Sequence, residues 1–390
     1  MIVAFGTYDA ARHPRVGVLV DGLRAHGYTV RELDRPLGLS TAERVRMLRR
    51  PWRLPGLLVR LLRCWVLLAG DVVAHRRAHG RPDAVLVGYL GHFDVVLARL
   101  LFGRTPVLLD HLVFAGDTAA DRGARGARVT LLRGLDRVAT SCADVVLLDT
   151  PEHLRMLGEL AGSRAARGLV VPVGAPQEWF DAAPADPTDD APADAAATDG
   201  ARPLRVVFFG LFTPLQGTDV LAEALAAVLP QAAEDAARGG GALEVTLVGS
   251  GQDLPSVRDR LRGTPGITWC DWVEAADLPA VVAAHDVCLG IFSATPKGLR
   301  VVPNKVFQGL AAGCVVVTSD TEPQRRLLGD HLELVPPADP AALADRLLAL
   351  RDPAALVAAR ARATTGRDLA RPAAVVRPLV RLLASRGVRP

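Results

Sequence analysis

The sequence predicts an α/β protein with two doubly wound domains, each a parallel sheet with helices on both faces. Three observations lead there. Short β-branched runs alternate with longer amphipathic stretches almost from end to end, the pattern of strand–helix–strand units. The chain has 390 residues, more than one hydrophobic core ordinarily serves. Residues 181–203, DAAPADPTDDAPADAAATDGARP, are Ala, Asp and Pro with almost nothing to bury, so the alternation stops there and an exposed spacer is expected. The expected organisation is a first domain over residues 1–175, a linker over 176–203 and a second domain over 204–370. A tail over 371–390 is expected to form a closing helix that packs back on the first domain.

Strands are expected at residues 2–5, 85–87, 107–109, 145–148 and 169–171 in the first half, and at 206–209, 245–248, 287–291 and 315–318 in the second. The opening MIVAFG reads as a buried strand, because no basic leader and no small-residue cleavage pattern accompanies it. Residues 16–26 and 95–102 read as amphipathic helices. Half of the residues are apolar and 23% are charged, with 46 Lys and Arg against 42 Asp and Glu. That balance is globular and mildly basic, and with no zinc-finger or aromatic–basic strand signature it argues against a nucleic-acid partner. The cysteines Cys64, Cys142, Cys270, Cys288 and Cys314 form no C-x-x-C pair, which fits neither a disulfide framework nor a zinc site and favours a reducing, cytoplasmic setting.

No run reaches the roughly 18 apolar residues that a membrane span requires. Residues 44–73 nevertheless combine Arg44, Arg46, Arg49, Arg50, Arg53, Arg60 and Arg63 with an apolar helical face of Leu57, Leu58, Leu61, Leu62, Trp65 and Leu68. Such a stripe backed by arginines fits peripheral contact with a membrane surface; packing of the stripe against the protein's own sheet stays open beside it, with the 44–53 arginine run alone at the head groups.

In doubly wound sheets, ligands lie outside the carboxyl ends of the strands. After residue 209 comes GLFTPLQGTDVLAEAL, where Gly210 and Gly217 let backbone approach a phosphate at a helix start. After residue 248, Gly249 and Gly251 of GSGQD offer the same opening. The densest segment is 286–320, DVCLGIFSATPKGLRVVPNKVFQGLAAGCVVVTSD, in which a small-residue loop carries Lys297 and Arg300 just ahead of Pro303 and a helix from Asn304. Two cations beside a helix N-terminus suit a diphosphate, and Gln308, one turn on, is placed for a ribose hydroxyl. In the first half, Thr7, Asp9 and Arg12 follow the first strand and are polar candidates for the acceptor; Asp110 follows another strand end, where it either positions an acceptor hydroxyl or caps a helix. No carboxylate or histidine cluster has metal-ligand spacing on an ordered element, so no bound metal and no other cofactor is expected.

The stretch 205–337 resembles the nucleotide-sugar-binding domain of glycosyltransferase family 4, a retaining GT-B family. It carries the Gly-bounded loop, GSG, Trp272-Val273, Asp286 before a strand and the PNKVFQGLAAG helix in that family's order. GTYDAARHPR and GYLGHFD in the first half resemble one branch of the same family. The resemblance implies two Rossmann-like domains facing a cleft, a nucleotide-diphosphate sugar as co-substrate, and front-side transfer with retention to a glycan, lipid-linked or small-molecule acceptor. It also implies that His92 lies near the donor sugar. Members of the family usually carry Arg and Lys where this chain has Leu211 and Gln216, and two glutamates where it has Arg300 and Gln308. The positive charge has therefore moved, with Lys297, Arg300 and Lys305 expected on the diphosphate, whose departure without a metal needs cations. Two rivals stay open at this point. One is an epimerase acting on the nucleotide sugar alone; the other is a catalytically silent member that binds a partner enzyme.

Overall fold

The β-branched runs form two six-stranded sheets, parallel throughout. They are seen in a computed structural model that describes residues 1–9, 13–38, 54–89, 91–121, 124–162, 167–184 and 202–390. Arg12, the arginine run 44–53 and residues 185–201 of the expected linker lie outside the described residues. One unit comprises Met1–Pro172 with Val375–Pro390, the other Val173–Ala374. The α/β class expected from the alternation is the one observed.

In chain order the first unit runs β1 (Ile2–Gly6), α1 (Pro14–Ala25), β2 (Val30–Asp34), α2 (Leu54–His79), β3 (Ala84–Val87), α3 (Asp94–Phe102), β4 (Val107–Asp110), α4 (Ala115–Asp121), α5 (Ala127–Cys142), β5 (Val145–Leu148), α6 (Pro151–Ala161) and β6 (Gly168–Val170). Its sheet order is β2-β1-β3-β4-β5-β6. β1, β3, β4 and β5 are buried at every position, as strands covered by helices on both faces must be. Thr150 caps α6 by accepting from the His153 amide at 3.2 Å, satisfying one of the orphan amides of a helix start.

The second unit runs α7 (Gln177–Asp181), β7 (Leu204–Phe209), α8 (Thr218–Ala237), β8 (Leu243–Val248), α9 (Leu254–Arg260), β9 (Ile267–Cys270), α10 (Leu278–Ala283), β10 (Val287–Leu289), α11 (Asn304–Ala311), β11 (Val315–Ser319), α12 (Glu322–Leu327), β12 (Glu333–Val335), α13 (Pro340–Ala349) and α14 (Pro353–Arg367). Its sheet order is β12-β11-β10-β7-β8-β9. The chain then continues through α15 (Pro372–Val375) to α16 (Arg377–Ser385). Leu379 and Leu383 of α16 enter the first unit's core beside Val16 and Leu19.

Three differences from the sequence reading have plain causes. β2, β9 and β12 were not expected; all three are sheet edges, and β2 and β9 are partly exposed, so neither shows a continuous apolar run. Residues 177–181, expected inside the linker, form α7, because Trp179 stacks on Phe209 with centroids 5.6 Å apart and Arg371 lies 4.6 Å over the Phe180 ring. The apolar stripe of α2 is divided: Trp65 and Leu68 pack against the sheet, whereas Leu58 and Leu62 face solvent.

The base of the second sheet is fixed by buried Asp286, which takes ion pairs from Arg202 and Arg360 and accepts from the Arg205 amide at 2.8 Å. Asp286→Ala leaves the two guanidinium groups without their carboxylate and is expected to lower stability by about 3–5 kcal/mol. Chemical denaturation of the purified variant checks this.

Candidate functional site

The order of the second sheet reverses between β7 and β10, and the loops leaving these two strands border the crevice where open α/β sheets hold ligands. The loops are locked together. Phe292 donates its amide to the Gln216 carbonyl at 3.0 Å, and the Ser293 hydroxyl donates to the Leu215 carbonyl at 2.7 Å. Gly217 sits left-handed at φ +67°, and a Cβ there would fall 2.5 Å from the Ser293 amide nitrogen. The loop after β8 joins them: the Phe212 amide donates to the Ser250 carbonyl at 3.0 Å. Gly249 and Gly251 pass so close to the Gly210 and Phe212 carbonyls that a Cβ on either would overlap them. The glycines therefore serve first to let three strand-end backbones meet.

Around this frame stand the cations. Lys297 is half-buried and Arg300 exposed, the one just before and the other at the end of a short turn, Gly298–Arg300, held by the Thr295 hydroxyl accepting from the Gly298 amide at 3.1 Å. Pro303 precedes α11, whose first turn carries exposed Asn304 and buried Lys305. The Lys305 Nζ lies 3.8 Å from the centre of the Phe208 ring and beside Gly210, with no hydrogen-bond partner among the described residues. Burial pulls its ammonium down to about 7, because the charged form is left with aromatic faces in place of water. Gln216 Oε1 is likewise buried and unpartnered. Gln308 is half-buried one turn along α11.

Thus Gly210, Gly217, Gly249, Gly251, Lys297, Arg300, Pro303, Asn304, Lys305 and Gln308 all fall on these loops or the helix they lead into. Trp272 and Val273 do not; they follow β9, at the far edge of the sheet. There Trp272 is exposed and donates its indole N–H to Glu274 at 3.1 Å.

In the first unit most polar candidates have partners of their own. Thr7 gives its amide and hydroxyl to Asp94 Oδ2 at 2.7 and 2.8 Å, and Trp65 donates to Asp94 Oδ1 at 2.9 Å. Asp110 is buried and accepts from Arg15 Nε at 2.7 Å. The other Arg15 nitrogens donate to the Pro172 and Val171 carbonyls. This ion pair ties β4 to the end of β6, and burial still pushes the Asp110 carboxyl up against the opposing pull of Arg15. Asp9 is half-exposed.

His92 belongs to a group that sequence reading missed. Its Nε2 is 2.9 Å from Asp136 Oδ1, its ring is 4.9 Å from that of His111, and His111 Nε2 is 3.8 Å from the same carboxylate oxygen. One ligand atom from each of the three lies within 4.8 Å of the others, which corrects the expectation that no such cluster forms. Asp136 also accepts from the Ala115 and Gly116 amides at 2.9 and 3.0 Å. Its acceptor sites are therefore largely filled by N–H donors, and the group reads as a hydrogen-bonded carboxylate that orients His92. Burial raises the Asp136 carboxyl, but His92 and the amides outweigh it and the net direction is down. His111 is pushed down to about 3, by burial first and the neighbouring His92 second, and stays neutral with its Nε2 unpartnered. The signal was the position of His111 directly after a strand end; Asp136, mid-helix in α5, had none.

Residues 203–352 match the family model described as "Glycosyl transferases group 1". A sequence search of the curated proteins finds no match. Among solved structures, the chain resembles sucrose-phosphate synthase from Thermosynechococcus elongatus at 15% identity and a TM-score of 0.66, covering 99% of this chain and 98% of that one. An α,α-trehalose-phosphate synthase (UDP-forming) from Burkholderia vietnamiensis gives 15% identity and 0.64, covering 98% and 96%. HepE from Anabaena, in complex with UDP, gives 14% and 0.63, covering 98% and 99%. At these identities the likeness speaks for the fold. With the GT-B class of fold across the chain and a group 1 glycosyltransferase domain in its second half, the protein is a glycosyltransferase.

Proposed function

We propose that the protein transfers a sugar from a nucleotide-diphosphate donor to an acceptor hydroxyl with retention, without a metal at the donor site. The observation that carries this is the unpartnered Lys305 Nζ, buried at the switch point where Lys297 and Arg300 also stand. A buried amine without a partner destabilises the empty protein, and an anion beside Gly210 supplies the missing charge. The acceptor oxygen bonds to the anomeric carbon on the face from which the diphosphate departs. The hydroxyl proton passes to the leaving phosphate oxygen, so no strong protein base is required. Lys297, Arg300 and Lys305 stabilise the charge that grows as the bond breaks. Asparagine and glutamine at positions 304 and 308 are assigned to the nucleotide, and the first domain's β1 loop, with Asp9 and Arg12, to the acceptor. His92, held by Asp136, is assigned to the donor sugar.

HepE was solved with UDP and with UDP-glucose, so uridine diphosphate is the first ligand to test. Arg300→Ala is expected to weaken its binding by about 1.5–3 kcal/mol, the scale of a charge-assisted hydrogen bond. Unchanged affinity by titration calorimetry would remove Arg300 from the clamp. Turnover is expected to persist in excess EDTA; loss restored by magnesium or manganese would show that the diphosphate needs a metal.

A further inference from the structure

Helix α2 is apolar on both sides. Its inner face packs Leu68 and Val72 into the core of the first domain. Its outer face exposes Leu58, Leu62, Val66 and Val73, spaced at four, four and seven residues so that they form one stripe, with Val66 72% exposed. A surface helix normally places polar residues there. Neighbouring helices of the same layer also expose leucines: α3 lies beside α2, and α5 beside α3, with Leu100 of α3 and Leu131 of α5 each 75% exposed.

The exposed charges carried by these three helices have one sign. Arg60, Arg63 and Arg77 of α2 and Arg128 of α5 are exposed. The acids of the described α2, α3 and α5 residues do not oppose them. Asp71 is held by Arg35 through two bonds of 2.8 Å, and Asp94 and Asp136 are buried. A contiguous apolar patch marks an interaction surface. The nearby acids Asp117 and Asp144 are each paired with an arginine of α5 or α3, and aliphatic side chains whose exposed charged neighbours on the same helices are arginines complement an apolar layer beneath anionic head groups.

We propose that the outer face of α2, α3 and α5 docks on the surface of an anionic lipid bilayer. The aliphatic stripe enters the head-group boundary while Arg60 and Arg63 meet phosphates. No helix among the described residues is long and apolar enough to cross the membrane, so the association is peripheral and reversible. The surface lies on the first domain and is independent of the donor reading.

The test is flotation of the full chain with vesicles of phosphatidylglycerol and, separately, of phosphatidylcholine, at low and high salt. The wild type is expected to float with phosphatidylglycerol at low salt, and much less at high salt or with phosphatidylcholine. Leu62→Ser/Val66→Ser is expected to cut the partition coefficient by roughly tenfold or more, since two aliphatic side chains no longer leave water. Arg60→Ser/Arg63→Ser should remove most of the salt sensitivity. All four positions are exposed, and an unshifted melting temperature confirms that each variant is folded. Wild-type protein that stays with the unbound fraction at low salt, or a Leu62/Val66 variant that floats unchanged, overturns the proposal. So does a concentration-dependent dimer abolished by the same variant in the absence of vesicle binding, which assigns the face to a second copy. Calorimetry with uridine diphosphate on the same preparations keeps a failure of the donor reading separate.

Discussion

Lys305→Met is expected to stabilise the second domain and to abolish donor binding. Methionine fills much of the lysine's volume between Phe208 and Gly210 without an amine to desolvate. The folded-state pKa, about 7 against an ordinary 10.5, means that the native site binds its proton less tightly than the unfolded chain does. Between those values the unfolded chain holds more protons, so wild-type stability rises with pH across that window; below about 7 the cost of the buried charge is fully present. Removing it should raise stability at pH 6–7 by on the order of 2–4 kcal/mol, and the variant's stability should lose that rise. Binding should behave oppositely. A diphosphate favours the ammonium form, so wild-type affinity is expected to fall as pH climbs above about 7. Thermal melts and calorimetry from pH 6 to 9 test both. A variant that is less stable than wild type and still binds uridine diphosphate normally would show that the amine is structural.

Gly217→Ala is the second large expected effect. The residue is left-handed, and its new Cβ would lie 2.5 Å from the Ser293 nitrogen and 2.6 Å from the Phe292 carbonyl carbon. These are backbone atoms that cannot swing aside. The loops after β7 and β10 must part, breaking the Phe292–Gln216 bond and displacing the segment that carries Lys297 and Arg300. A loss of about 2–4 kcal/mol of stability is expected, together with at least a roughly tenfold fall in affinity for uridine diphosphate. Gly134→Ala, on α5 where nothing lies within 4 Å of the added carbon, is the control and should be close to neutral or mildly stabilising. Equal behaviour of the two variants would sink the account of how the loops are joined.

The sequence made the buried architecture legible and the edges illegible. β1, β3, β4 and β5 read as strands because both faces are covered, whereas β2, VRELD, carries charges on an edge and has the composition of a loop. The second domain's ligand loops were visible because glycine, proline and lysine punctuate them at fixed places in the strand–helix order. What those residues do was less visible. Nothing in the local sequence says that Gly249 must clear the Gly210 carbonyl, or that Lys305 points into aromatic side chains rather than solvent. The polar candidates of the first domain fared differently for a similar reason. Thr7 and Asp110 follow strand ends as ligand residues do, but their partners, Asp94 and Arg15, lie 87 and 95 residues away in sequence. His92 was singled out alone, since Asp136 is 44 residues on and becomes its partner only through the fold.

On the proposed function a nucleoside diphosphate binds where the loops after β7 and β10 meet. Hydrogen–deuterium exchange of the full chain, with and without saturating uridine, adenosine or guanosine diphosphate, tests it most directly. With at least one of the three, slowed exchange is expected to concentrate in residues 210–218 and 292–308, and that protection is expected to be lost in Lys305→Met. Binding that protects other segments and leaves these two unchanged, or no protection with any of the three, would contradict it.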